Sequence, residues 1–276
     1  MNSRVRDPRR DAWLGLVVVA LVLLLGVTVV NAQTQTGTSS NARSGNSALA
    51  ITRGTILPVV LRTPVLFEKC KAGQVVSGKV AQDVPLANGV KIRKGTEVQG
   101  HIVEVTPNAN GAGQRVSLQF DKIYWNGQWV AMVTNLRAFA SSLDVMQAHV
   151  PEEAPNEGSP YEWLPTMQIG GDSVYGLRGQ VKSAEDPSLV VGKSVPGGVM
   201  VQASAPEGSK CRGDVEGNNE AQALWVFSSG ACGVYGVDGL SIVHAGRTDP
   251  TGTIILASNV DNVKLRDGDG MLLRVH

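Results

Sequence analysis

The sequence predicts an all-β fold: short-stranded barrel or sandwich domains, one or two in number, behind an N-terminal signal peptide or signal anchor. Three observations predict it. From residue 51 onward, short runs rich in Val, Ile and Leu alternate with Gly, Pro and Asn signals, in a chain holding 32 Gly and 13 Pro among 276 residues. Within the runs the apolar period is two and not 3.6, as in Val116-Ser117-Leu118-Gln119-Phe120, the pattern of a strand with one face in a core. Upstream, Trp13 to Ala32 carries no charge, and eighteen of its twenty residues are apolar or Gly.

The first element is therefore an export segment. Arg4, Arg6, Arg9 and Arg10 precede the apolar run against only Asp7 and Asp11, the order of a basic n-region and an apolar h-region. Val30-Asn31-Ala32 followed by the polar Gln33 predicts cleavage between Ala32 and Gln33. The competing reading is an uncleaved anchor, because about 18 apolar residues at ~1.5 Å each nearly cover a ~30 Å hydrocarbon core. In that case residues 13–32 lie in the inner membrane with the N-terminus in the cytoplasm. The Arg9-Arg10 pair runs into Asp11-Ala12, which favours the general secretory route over a twin-arginine one.

Residues 33–50, QTQTGTSSNARSGNSALA, lack the large apolar side chains needed to offset chain entropy and read as a flexible linker. Without the four Arg and two Asp of the first segment, the formal charge of +1 becomes −1, so no electrostatic footprint for nucleic acid exists.

A first β-domain is predicted over 51–141. Its strands are expected at 56–61, 75–84, 98–105, 116–123 and 129–136, with hairpin turns at Asn88-Gly89 and Asn126-Gly127, dipeptides that tolerate positive φ. The order of motifs here carries a resemblance. Gly54-Thr55-Ile56-Leu57-Pro58-Val59-Val60-Leu61, Ala72-Gly73-Gln74-Val75, Val80-Ala81-Gln82-Asp83-Val84, Ile92-Arg93-Lys94-Gly95-Thr96-Glu97-Val98 and Gly113-Gln114-Arg115-Val116, ending in Phe120 to Ile123 and Asn126-Gly127, resemble the first half of the β-barrel domain of TrbI-like proteins. Those are envelope-spanning subunits of type IV secretion and conjugation systems, and the resemblance covers about residues 51–130. It implies a single-pass or exported periplasmic β-domain with a structural or assembly role. The family's proline-rich segment and helical antenna have no counterpart: the linker is short, and Pro151, Pro155, Pro160 and Pro165 interrupt the next stretch.

Residues 142–170 read as a linker or covering loop, with one helical turn possible at 144–149 and Tyr161, Trp163 and Leu164 as apolar anchors. A second β-domain is predicted over 171–276. Val174-Tyr175-Gly176-Leu177-Arg178-Gly179 and Val234-Tyr235-Gly236-Val237-Asp238-Gly239 share a strand-and-turn pattern. Further strands are expected at 199–203, 223–227, 240–244 and 253–257, with residues 262–275 folding as a closing hairpin around Asp267-Gly268-Asp269-Gly270.

Of three cysteines, Cys211 and Cys232 flank one hairpin-like segment and are paired as a disulfide; Cys70 is left as a buried thiol or an intermolecular partner. Closing that loop stabilises by about 3 kcal/mol in the chain-entropy model. Catalytic signals are weak. Gly171-Asp172-Ser173 with His244 suggests a hydrolase using Ser173, but no Asp-x-x-His or α/β pattern accompanies it. His101, His149, His244 and His276 are not at metal-ligand spacing, and Asp214 to Glu220 misses the calcium-loop spacing and reads as a solvated loop. Arg212-Gly213-Asp214 matches a cell-adhesion tripeptide that occurs often by chance. No cofactor is expected. The leading expectation is a non-enzymatic cell-envelope protein, periplasmic, secreted or membrane-held, whose partners are envelope proteins or further copies meeting at β-edges. The alternative is a secreted ligand-binding or adhesive β-module that uses the Cys211–Cys232 loop.

Overall fold

The computed structural model describes residues 51–86, 89–108, 112–152, 164–216 and 218–276. The expected export segment, the linker, the expected cleavage position at Ala32 and Gln33, Asn88, Tyr161 and Trp163 lie outside the described residues. No helix among the described residues is long and apolar enough to cross a membrane.

The expected β-rich pattern is present as twenty strands among the described residues. The first half supplies β1 (Ile56–Leu61), β2 (Val65–Leu66), β3 (Val75–Val80), β4 (Val84–Pro85), β5 (Lys91–Ile92), β6 (Glu97–Pro107), β7 (Gln114–Trp125), β8 (Gln128–Ala131) and β9 (Thr134–Ala140). Helix α1 (Ser142–Gln147) follows, capped by Ser141, whose Oγ accepts from the backbone N of Asp144. The second half supplies β10 (Thr166–Met167), β11 (Ser173–Val174), β12 (Gln180–Lys182), β13 (Val190–Val195), β14 (Gly198–Gln202), β15 (Ala221–Ala223), β16 (Gly233–Tyr235), β17 (Leu240–Ala245), β18 (Ile254–Ser258), β19 (Lys264–Leu265) and β20 (Gly270–Val275).

Ten strands form one sheet in the order β16-β9-β20-β1-β3-β6-β7-β18-β17, with β8 pairing β7 off this path. Every pairing in it is antiparallel except β16 on β9. The sheet takes strands from both predicted β regions and rolls until β17 comes alongside β9. No ladder joins β17 to β9 or β16, so the roll is not a closed barrel. A second sheet of six strands, β10 to β15, runs in sequence order.

Two cores follow from the alternation. Leu57, Val59 and Leu61 of β1, with Met271, Leu273 and Val275 of β20, face the inside of the roll with Phe120 and Ile123. Ile56 and Leu272 on the opposite faces meet Val199 and Val201 of the smaller sheet and Val145 of α1. β9 and β20 are buried on both faces and β1 nearly so, which is why their sequences are almost continuously apolar. Gln82 spans the two sheets: its Nε2 donates to Val199 O at 3.0 Å and its Oε1 accepts from Trp225 N at 2.7 Å.

Several local expectations change. The run at 129–136 is two strands, β8 and β9, because the chain leaves β7's edge at Met132 and joins β20 instead. Residues 224–227 are a buried turn after β15 and not strand. The 262–275 segment is not a hairpin: β19 pairs β2, while β20 lies between β1 and β9. The Asp267 to Gly270 turn is real but built inward, since the Asp269 carboxylate accepts from Ser142 N at 2.8 Å and Arg266 N at 2.6 Å. The two Val-Tyr-Gly motifs share positive φ at Gly176 and Gly236, yet one belongs to the smaller sheet and the other to the parallel edge of the larger. The Asn126-Gly127 hairpin is as expected, with φ of 50° and 80° between β7 and β8.

Candidate functional site

Polar residues inside the doubly buried strands build the site. β9 reads TNLRAFA and β20 reads GMLLRV, so Asn135, Arg137 and Arg274 sit where neighbouring positions are apolar. Arg137 occupies the bulge where the β20 register skips from Ala138 to Leu136. A charge there is costly to bury unless it is paired. The counter-charge comes from far along the chain. Asp214, only 1 % exposed, lies in the short 3-10 turn Arg212–Asp214 directly after Cys211.

The Cys211–Cys232 disulfide, with Cα atoms 6.0 Å apart, ties that turn to the residue before β16, the strand parallel to β9. Asp214 is thus held against β9. Asn135 Nδ2 donates to Asp214 Oδ1 at 2.6 Å, and Arg247 Nη1 lies 3.7 Å from Asp214 Oδ2. Arg137 Nη2 donates to Ser204 O and to Ser229 O, the latter at 3.1 Å, while its Nε and Nη1 have no hydrogen-bond partner. Arg274, 8 % exposed, has no partner for its Nε.

Burial pulls the Arg137 guanidinium below the usual arginine range; Asp214 opposes this, and Arg274 and Arg247 add to it. Arg274 is lowered for the same first reason, with Asp214 again opposing and Arg53 and Arg247 adding repulsion. His276 is lowered by burial, then by Arg274, Arg53 and Arg247, with Asp214 acting the other way. One aspartate therefore answers several crowded cations.

Above this cluster opens a cleft of about 1180 Å³. Arg53, Arg274 and His276 line it from the β1–β20 side, Arg247 and His244 from β17 and the turn beyond. Glu216 and Glu220 of the disulfide loop form another part of the lining. The arrangement has donors and positive charge concentrated at one end, which suits recognition of an anion. His244 Nε2 and Thr248 Oγ1, 2.9 Å apart, also line the cleft.

The other predicted site residues are dispersed. The disulfide pairs Cys211 with Cys232 as the sequence suggested, but the enclosed segment is a 3-10 turn, β15 and a buried turn, not a hairpin. Cys70 is a buried free thiol whose Sγ donates to Phe67 O at 3.3 Å; burial raises its pKa. Ser173 and His244 stand in different sheets, Ser173 Oγ against Met167 Sδ at 3.3 Å and His244 between Thr253 O and Thr248 Oγ1, each at 2.9 Å. Asp172 accepts from the backbone N of Ala184 and Ser229 and is structural. Asp214 is turned inward, which corrects the solvated-loop reading at that residue, while Glu216, Asn219 and Glu220 are exposed as expected; its carboxylate is thereby removed from both a calcium loop and an exposed Arg-Gly-Asp. Among the described residues no three His, Cys, Asp or Glu side chains are grouped to hold a metal, and His101 instead meets Asp121 at 2.8 Å.

The cleft was not anticipated from the sequence. The available signal was an arginine inside each of two apolar strand runs, Leu136-Arg137-Ala138-Phe139 and Leu272-Leu273-Arg274-Val275. No known family model matches the chain, and no curated protein matches it.

Proposed function

We propose that this chain is a non-enzymatic, exported cell-envelope protein with a structural or assembly role, similar to a reduced TrbI-like subunit of a secretion system. The observation that carries the reading is the Cys211–Cys232 disulfide in a β-fold that follows an Arg-rich, then apolar, then polar leader, because such bonds persist in oxidising compartments outside the cytoplasm. The working surface is the set of open sheet edges. β8 pairs with β7 alone, and its hairpin presents Tyr124 and Trp129, 47 % and 44 % exposed with ring centroids 5.4 Å apart, beside Lys122. An unpaired strand edge beside exposed aromatic rings suits strand addition by a partner or a second copy.

The test is photocrosslinking in the native host from a benzophenone amino acid at position 129, combined with fractionation and N-terminal sequencing. Discrete adducts with envelope proteins or with a second copy support the role. A chain found in the cytoplasm, or an exported chain giving no adduct, sinks it. A mature start at Gln33 assigns a released protein; an intact Met1 in the inner membrane assigns an anchored one.

A further inference from the structure

We infer that the cleft above Asp214 is a binding site for a small molecule carrying a carboxylate or phosphate head group, seated on Arg274 with Arg53, Arg247 and His276 around it. The inference goes beyond the assembly role and does not depend on it.

Arg274 carries the argument. The residue is 8 % exposed, lines the cleft, and its Nε is buried without a hydrogen-bond partner. A guanidinium has five donors in a planar fork, and leaving one unpaired in a desolvated position costs free energy that a bound oxyanion would recover. Asp214 acts on Arg274 only through space: its Oδ1 accepts from Asn135, and its Oδ2, itself without a hydrogen-bond partner, lies 3.7 Å from Arg247 Nη1. Three arginines against one buried carboxylate leave about two positive charges at this end of the cleft.

The backbone is shaped for close approach as well. Gly54, whose φ of 91° favours glycine, brings its backbone beside the Arg274 guanidinium, a Cβ there lying 3.6 Å from Nη2. His276 Nε2 is also buried without a partner and borders the same space. The volume, about 1180 Å³, is near the upper end of small-molecule sites. The lining turns acidic at Glu216 and Glu220, which disfavours a polyanion such as nucleic acid and favours one anionic head on a neutral or cationic body.

The test is isothermal titration calorimetry of the full chain in non-ionic detergent at low salt, with inorganic phosphate and with succinate as probes. Binding of either probe is expected, and losing one charge-assisted contact in Arg274→Gln should weaken it about tenfold or more. Arg53→Gln, at an exposed position, gives a second reading if Arg274→Gln does not fold, with a smaller loss expected. Lys69→Gln, an exposed lysine outside the cleft, should change nothing. Phosphate alone binding assigns a phosphate ligand, succinate alone a carboxylate, and both assign the shared oxyanion chemistry. No heat from either probe at millimolar concentration overturns the site. So does equal weakening by Arg53→Gln and Lys69→Gln, which would mark nonspecific attraction.

Discussion

Asn135 and Asp214, seventy-nine residues apart in sequence, share a 2.6 Å hydrogen bond within a buried cluster that also holds Arg137, Arg247 and Arg274. The bond fixes the disulfide-closed turn against β9. It also orients the single carboxylate that offsets the surrounding cations.

Asp214→Asn keeps the shape and removes the charge. Arg137, already held below its normal pKa by burial, then loses its main opposing charge. Removing one member of a buried ionic group costs about 3–5 kcal/mol, and a shift of that size is expected in urea denaturation. Arg247→Gln, whose side chain is partly solvated and 3.7 Å from the carboxylate, should cost clearly less.

Cys232→Ser opens a loop of 21 residues' separation and should lower stability by about 3 kcal/mol. The local effect separates this from a general loss. Hydrogen exchange should speed up first over residues 212–222, which carry the Asp214 turn and β15, while the β6–β7 ladder stays protected. Uniform acceleration across both regions would contradict a local staple.

Gln82→Ala should destabilise by about 2–4 kcal/mol, because Val199 O and Trp225 N lose their side-chain partner inside the interface between the sheets. Thermal unfolding of the variant checks this. A change near zero would mean that water replaces both contacts.

Stability should fall on mild acidification through His276. Burial, Arg274 and Arg53 lower its folded pKa below the ordinary histidine value of 6.5, so between the folded value and 6.5 the unfolded chain binds more protons. The stabilising contribution is therefore present above pH 6.5 and is lost as pH falls toward the folded value. Asp269 works in the opposite sense in a lower window. Burial raises its pKa above 3.8 despite hydrogen bonds from Arg266 N and Ser142 N, so its contribution is present below 3.8 and lost as pH rises through the folded value. Urea midpoints for wild type and His276→Gln between pH 8 and 5.5 test the first claim; equal slopes would refute it.

Elements with a strong local signal were legible. β1 was placed to the residue, and the Asn126-Gly127 hairpin followed from two residues whose backbones accept positive φ. Less legible were stretches whose conformation depends on a remote partner. Met271 to Val275 reads as half of a local hairpin, but β1 and β9 on either side of it satisfy its backbone better than β19 could. Likewise Asp214 reads as part of a polar loop until β9 is placed beside it.

By itself, the sequence determined that the chain is all-β, where most strands and turns fall, and which two cysteines join, because those follow from side-chain period, turn chemistry and spacing. Only the tertiary structure decided that strands from both halves share one rolled sheet. It also decided that Arg137, Arg274 and Asp214 converge beneath a cleft. The physical reason is that strand pairing and charge burial are settled between residues far apart in the chain, where backbone hydrogen bonding and desolvation cost outweigh any local preference.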